Sequence, residues 1–128
     1  MCGITGYIGD KKAAEVLLDG LLRLEYRGYD SCGVAVINGK NELYLRRVSG
    51  RVDALSELVA KDPVKGGAVG IGHTRWATHG VPSEDNAHPH TDCNNQLVVV
   101  HNGIIENYLE IKEKLAKTGH KFKSETDT

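Results

Sequence analysis

Apolar and polar positions along the chain change period several times, and each change marks an element. Residues Cys2 to Ile8 mix apolar side chains with Gly3 and Gly6, which predicts a short strand whose backbone approaches other groups closely. From Asp10, placed to cap a helix, Ala14, Leu17, Leu18, Leu21 and Leu22 recur at three- and four-residue steps, so a helix with one apolar face is expected up to about Tyr26. Gly28, Tyr29 and Asp30 read as a turn. Gly33 to Ile37 and Glu42 to Val48 then read as two strands of a hairpin joined across Asn38, Gly39, Lys40 and Asn41.

A second amphipathic helix is expected from Val52, Leu55 and Leu58 or Val59, ending before Pro63. Ala68 to His73 predicts a strand. Arg75 to Asn95, rich in polar residues with Gly and Pro, predicts a long loop, and long loops in compact domains tend to carry function or lack order. Gln96 to His101 is a β-branched strand candidate. Asn107 opens a helix with Glu110 placed for a capping box and Gly119 placed to stop it. Helices with one apolar face interleaved with strands imply an α+β fold in which helices pack on sheets. No internal repeat or low-complexity tract interrupts the pattern.

Composition narrows the function. A chain of 128 residues holds one domain or part of one, and 40% hydrophobic with 26% charged residues is ordinary for a folded, soluble chain. With 16 Lys and Arg against 17 Asp and Glu, no field favours a polyanion or an anionic membrane, so neither nucleic acid nor a membrane is expected as a partner. The longest apolar runs, such as Leu97 to Val100, fall far short of the roughly 20 residues of a membrane helix. Cys2, Cys32 and Cys93 form an odd set without framework spacing and no secretory leader is visible, which fits a reducing cytoplasm.

Candidate chemistry begins at Cys2. Removal of Met1 would expose its α-amine, which with an ordinary pKa of roughly 7.7 to 8.0 is a usable base a few bonds from its own thiol; one residue would then be both nucleophile and base. The competing reading is a small buried apolar residue. Attack of a thiol on a carboxamide creates an oxyanion that needs donors aimed at it, and Asn102-Gly103 could supply a side-chain amide and an unobstructed backbone N–H, or could simply be a hairpin turn. Arg75 has the planar fork suited to a carboxylate and Asp127 could take an ammonium, as an amino-acid substrate requires; the alternative is surface ion pairing. His88, His90 and Cys93 form an H-x-H-x-x-C cluster, which raises a metal-binding module as a second reading, although the spacing matches no standard zinc pattern. The glycines form no phosphate-binding fingerprint.

Six segments taken together are recognisable: M-C-G-I-T-G at Met1 to Gly6, L-E-Y-R-G-Y-D-S at Leu24 to Ser31, H-T-R-W-A-T-H-G at His73 to Gly80, N-A-H-P-H at Asn86 to His90, V-V-V-H-N-G-I-I-E-N at Val98 to Asn107 and S-E-T-D-T at Ser124 to Thr128. In this order they resemble the glutaminase domain of the glutamine:fructose-6-phosphate amidotransferases, in which an N-terminal cysteine is the nucleophile. The related phosphoribosylpyrophosphate amidotransferases resemble R-G-Q-E-S where this chain has Arg27 to Ser31. The resemblance implies the four-layer α-β-β-α sandwich of N-terminal-nucleophile hydrolases, with residues 1–128 forming only its N-terminal part. It implies Cys2 as nucleophile; Asn102 and Gly103 as oxyanion donors; Arg75 and Asp127 as the clamp on the carboxylate and amine of glutamine; Thr78 and His79 in a covering loop; and Arg27, Gly28 and Trp76 lining the site or its exit. It also implies a sugar-isomerase domain in the full-length enzyme, fed with ammonia for the synthesis of glucosamine 6-phosphate, and no metal or other cofactor. A shortened sandwich implies uncovered apolar surface and either low independent stability or assembly with another copy. A catalytically silent fragment is the remaining alternative.

Overall fold

A computed structural model describes residues 1–78 and 80–128. Its elements are β1 (Gly3–Ile8), α1 (Ala13–Leu24), β2 (Ser31–Ile37), β3 (Leu43–Ser49), α2 (Val52–Lys61), β4 (Val69–Arg75), β5 (His90–Thr91), β6 (Val98–Val99) and α3 (Tyr108–Lys117), with a 3₁₀ turn at Glu25–Arg27. Four strands form an antiparallel sheet in the order β1-β4-β2-β3, and β5 and β6 pair separately. Among the described residues no helix is long and apolar enough to cross a membrane.

Both early helices lie on one face of the large sheet. Along β2, Cys32, Val34 and Val36 join Leu17 and Leu21 of α1 and Val52 and Leu55 of α2 in the core. The intervening residues Ser31, Gly33 and Ala35 are equally buried, although successive side chains of a strand point to opposite faces. A second layer covers that face: a Cβ on Gly33 would overlap the His88 carbonyl oxygen, and Arg47 Nη1 donates to Ala87 O at 3.2 Å. Residues on both sides of β2 explain its unbroken apolar reading. On the helix side, β4 carries Gly70 and Gly72, where a Cβ would meet Leu17 Cδ1 at 2.8 Å and Leu21 Cδ1 at 3.2 Å. The absent side chains let α1 settle directly on the sheet.

That packing decides what the other face of the sheet displays. With Gly70, Gly72 and Thr74 turned to the helices, Ile71, His73 and Arg75 project the opposite way. Gly3 and Thr5 of β1 also face α1, contacting Leu24 and Gly20. Alternation therefore puts Cys2, one residue before β1, on the face that carries His73 and Arg75.

The expected caps did not form. α1 begins at Ala13, with Lys12 rather than Asp10 at the cap position and no side-chain hydrogen bond there; the Ala13 N–H instead donates to Gly67 O at 3.0 Å. Leu22 is exposed, which leaves the buried stripe of α1 narrower than its apolar pattern. At α2 the Val52 N–H donates to Glu25 Oε2 at 2.8 Å, so a carboxylate from the end of the first helical segment occupies the positive end of the second. Burial favours the neutral acid there, but the Val52 N–H and the Arg51 guanidinium outweigh it and hold the Glu25 pKa below the usual range. In α3 the capping box is absent too: Asn107 makes no side-chain cap bond, and Glu110 pairs with Lys114 at 2.7 Å. The predicted stop is present. Gly119 has φ +97°, and the N–H groups of Gly119 and His120 return to Ala116 O and Leu115 O, both at 3.1 Å.

The strand expected over Gln96 to His101 contracts to Val98–Val99. A strand lasts only as long as its partner, and β5 offers two residues before Asp92 turns the chain, its Oδ1 accepting the Gln96 and Leu97 N–H groups at 2.7 and 3.0 Å. The predicted loop over Arg75 to Asn95 thus contains β5. Val99, Ile104, Leu109, Ile111 and Phe122 are exposed.

Candidate active site

Opposite the helices, a cleft of about 570 Å³ opens between the ends of β1 and β4, the segment after β6 and the last residues of the chain. Cys2, Arg27, Arg75, Trp76, Thr78, Asn102, Gly103 and Asp127, all singled out from the sequence, line it. Gly28 lies behind the wall: a Cβ there would come within 2.9 Å of the Arg75 carbonyl carbon, so only glycine lets the 25–28 segment lie against the end of β4. His79 lies outside the described residues.

Cys2 is half-buried. Its Sγ receives the Trp76 N–H at 3.3 Å, and its carbonyl oxygen accepts from Asn102 Nδ2 at 3.1 Å. Met1 precedes it in the same cleft, with Sδ 3.6 Å from Arg27 Nη2. Asn102 Oδ1 lies 2.8 Å from His73 Nε2. A Cβ on the neighbouring Gly103 would crowd the His101 ring, coming within 2.8 Å of its Nε2. An asparagine amide carries two N–H bonds; with one spent on the Cys2 carbonyl, the second is left for an incoming oxygen.

Across the cleft, Asp127 Oδ2 accepts the Ile105 N–H at 2.7 Å and stands 4.0 Å from His101 Nδ1. Arg75 is only 4% exposed, and its two terminal nitrogens donate to Gly80 O and Val81 O at 3.4 Å. Trp76 is partly exposed and meets the Tyr29 ring edge-on at 5.3 Å. Asp30, which the sequence placed merely in a turn, anchors this segment: its carboxylate accepts the Ala77 N–H, and its own N–H donates to Arg75 O at 3.2 Å. His88, His101, Thr126 and Thr128 also line the cleft, although no sequence pattern pointed to a role for them there. The alternation along β4 was the signal for His73, since it shares a face with Arg75.

The H-x-H-x-x-C cluster does not assemble. Cys93 is exposed, with its Sγ 3.7 Å from His120 Nδ1, whereas His88 and His90 are buried in a row with His73. The His73 and His88 rings stack at 4.3 Å, and His88 meets His90 edge-on at 4.5 Å. Among the described residues no group of three His, Cys, Asp or Glu is arranged to hold a metal. The row instead ties the second layer together: His88 Nδ1 accepts the His101 N–H at 3.3 Å, His90 Nε2 lies 3.3 Å from Thr126 Oγ1, and Asn86 bonds Val81 O and the Glu125 N–H at 3.0 and 2.8 Å.

Burial of this row, reinforced by neighbouring cationic and histidine groups, pushes His73 and His90 down to about 4 and His88 to about 2. All three are neutral at pH 7. An unfolded histidine titrates near 6.5, so between that pH and the folded values the unfolded chain binds more protons, and stability falls as pH is lowered. Their contribution is complete above about pH 6.5 and lost progressively below it, with a slope of about 1.4 kcal/mol per pH unit for each such histidine. Urea midpoints measured from pH 6.5 to 5, above the main carboxylate range, should fall steeply; a flat midpoint would mean that the row is hydrated and titrates normally.

Comparison with known proteins places the chain in a family. Residues 59–128 match the family model described as glutamine amidotransferase domain. The solved glutamine phosphoribosylpyrophosphate amidotransferase from B. subtilis superposes with a TM-score of 0.81 at 27% identity, over 100% of this chain and 27% of that one. A second structure, described as the allosteric regulatory enzyme of purine biosynthesis, gives 0.80 at 26% identity over 97% of this chain and 27% of its own. The chain belongs to the glutamine amidotransferase domain family, and its fold is the N-terminal part of the layered N-terminal-nucleophile sandwich.

Within that family, the glutamine–fructose-6-phosphate aminotransferases (isomerizing) of Thermus thermophilus and Thermococcus kodakarensis are each 59% identical over all 128 residues. That of Haemophilus influenzae is 58% identical. The chain spans about a fifth of the length of these relatives, 21% for the first two and 20% for the third.

Proposed function

We propose that residues 1–128 form the N-terminal portion of a glutamine-hydrolysing domain that, within a longer protein, supplies ammonia for the conversion of fructose 6-phosphate to glucosamine 6-phosphate. After Met1 is removed, the Cys2 α-amine accepts the thiol proton and the sulfur attacks the side-chain amide carbon of glutamine. The resulting oxyanion is met by the Asn102 amide and the Gly103 N–H. Collapse of this intermediate breaks the C–N bond, the proton goes to the leaving nitrogen, and ammonia departs from a thioester. Water then attacks the thioester, releasing glutamate and regenerating the thiol. Arg75 and Asp127 hold the substrate's α-carboxylate and α-ammonium, Thr78 and His79 belong to the segment that covers it, and Arg27, Gly28 and Trp76 border the exit towards a sugar-isomerase domain. The setting is the cytoplasm, in hexosamine synthesis.

The observation that carries this reading is the meeting of a sulfur nucleophile, an amide donor, a cation and an anion around one cleft, although they are up to 125 positions apart in sequence (Asp127 less Cys2). Together they offer the chemistry that an amino acid bearing a terminal carboxamide calls for. A diazo-ketone analogue of glutamine tests it. The full-length protein without Met1 should take up one equivalent, with loss of nitrogen, mapped by peptide mass to Cys2; protein that retains Met1 should not react. Labelling at another cysteine, or equal labelling of both forms, would end the proposal.

A further inference from the structure

The hydrogen bond between His73 and Asn102 reaches beyond the residues assigned above, and it rests on the oxyanion role proposed for Asn102. A backbone carbonyl can only accept, so the Cys2 carbonyl, 3.1 Å from the Asn102 amide, requires the nitrogen end of that amide to face it. Reversing the amide would set two oxygens against each other. The Asn102 oxygen must therefore face His73 Nε2 at 2.8 Å, and since that oxygen is an acceptor, Nε2 must carry a proton. Neutral His73 consequently holds its proton on Nε2, and a single ring tautomer decides which way the asparagine amide points.

The ring has little freedom to do otherwise. His73 is fully buried in β4, and its ring is stacked on His88 at 4.3 Å with 20° between the planes. Burial lowers its pKa to about 4, so the neutral form persists across the physiological range. Even when protonated the ring would still donate from Nε2, so titration of His73 leaves this bond in place.

We propose that His73 is a positioning residue that locks the Asn102 side chain with its N–H groups towards the nucleophile, so that the oxyanion donor is oriented before glutamine binds. Its effect belongs to the transition state, because a carbonyl that becomes an oxyanion gains most from a fixed donor, whereas ground-state binding depends on contacts elsewhere.

The full-length protein without Met1 supplies the tests. His73→Phe keeps a planar ring and removes the donor; kcat for glutamine hydrolysis should fall by about 10- to 100-fold, with KM within about twofold. Affinity for the aldehyde analogue of glutamate, which adds the thiol to form a tetrahedral oxyanion, should fall by a similar factor while glutamate affinity holds. His73→Gln, which restores an N–H at similar reach, should recover most of kcat. Loss of folding alone would not reproduce that selectivity. Combining His73→Phe with Asn102→Ala should cost no more than Asn102→Ala by itself. Multiplicative losses in that combination, or kcat within twofold for His73→Phe, would overturn the inference. An Asn102→Ala protein with unchanged kcat would instead overturn the oxyanion assignment on which it rests. If His73→Phe does not fold, histidine-selective ¹⁵N spectra of the unmodified protein decide: a protonated Nε2 and bare Nδ1 on His73 support the proposal, and the opposite tautomer refutes it.

Discussion

Cys2→Ala should lower ammonia release from glutamine by about 10⁴-fold or more, because removal of a covalent nucleophile leaves only positioning and oxyanion stabilisation. Neither of the other cysteines can replace it. Cys32 is buried among core residues, and burial, followed by the Glu25 and Asp30 charges, pushes its thiol up to about 12; its Sγ faces Gly50 O at 3.6 Å. Cys93 lies outside the cleft, beside His120 and Lys121. A protein whose Met1 is retained should be as inactive as the alanine variant, since acylation by methionine turns the Cys2 nitrogen into an amide without basicity. Measured as glutamate formed under saturating glutamine, activity within tenfold of the parent in either protein would show that the sulfur or its amine is not required.

The second large effect concerns Arg75. It is 4% exposed and lines the cleft, so removing it would leave a substrate carboxylate without its partner in a poorly hydrated site. Loss of one member of such a pair costs about 2 to 5 kcal/mol, which corresponds to a fall in kcat/KM for glutamine of roughly 30-fold to several thousand-fold. Most of the loss in Arg75→Ala should appear in KM. Arg75→Lys should recover little, because an ammonium lacks the bidentate fork. Arg75 also bonds the Gly80 and Val81 carbonyls, so disturbance of that segment must be separated from loss of the carboxylate contact. Glutamine converted to its α-carboxamide makes the separation: the parent should strongly prefer glutamine, and Arg75→Ala should treat both nearly alike. A variant that keeps the parent's preference would remove Arg75 from the clamp.

Element types were legible wherever a local period decided burial. The apolar stripe of α1, the hairpin of β2 and β3, and the glycine stop after α3 all depend on residues within a few positions of one another. Caps were misread for the converse reason. Asp10 and the Asn107–Glu110 pair have suitable chemistry, but the free N–H groups at the start of a helix accept any well-placed acceptor, and for α1 and α2 the acceptors come from Gly67 and Glu25. Similarly, spacing alone suggested metal ligation by His88, His90 and Cys93, whereas packing set the two histidines in a row with His73, His88 stacked on His73 and edge-on to His90, and left the cysteine at the surface.

By itself, the amino-acid order determined the period of the main helices and strands, the family resemblance, and the set of side chains with chemistry suited to an amino-acid carboxamide. Only the tertiary structure decided that these side chains share one cleft, that the Asn102 amide meets His73, and that the histidine row is buried. The physical reason is range: periodicity reports on neighbours within a turn or a pleat, whereas Asn102 meets the Cys2 carbonyl across 100 positions and His73 across 29. Contacts of that span exist only after the sheet has brought its strand ends together.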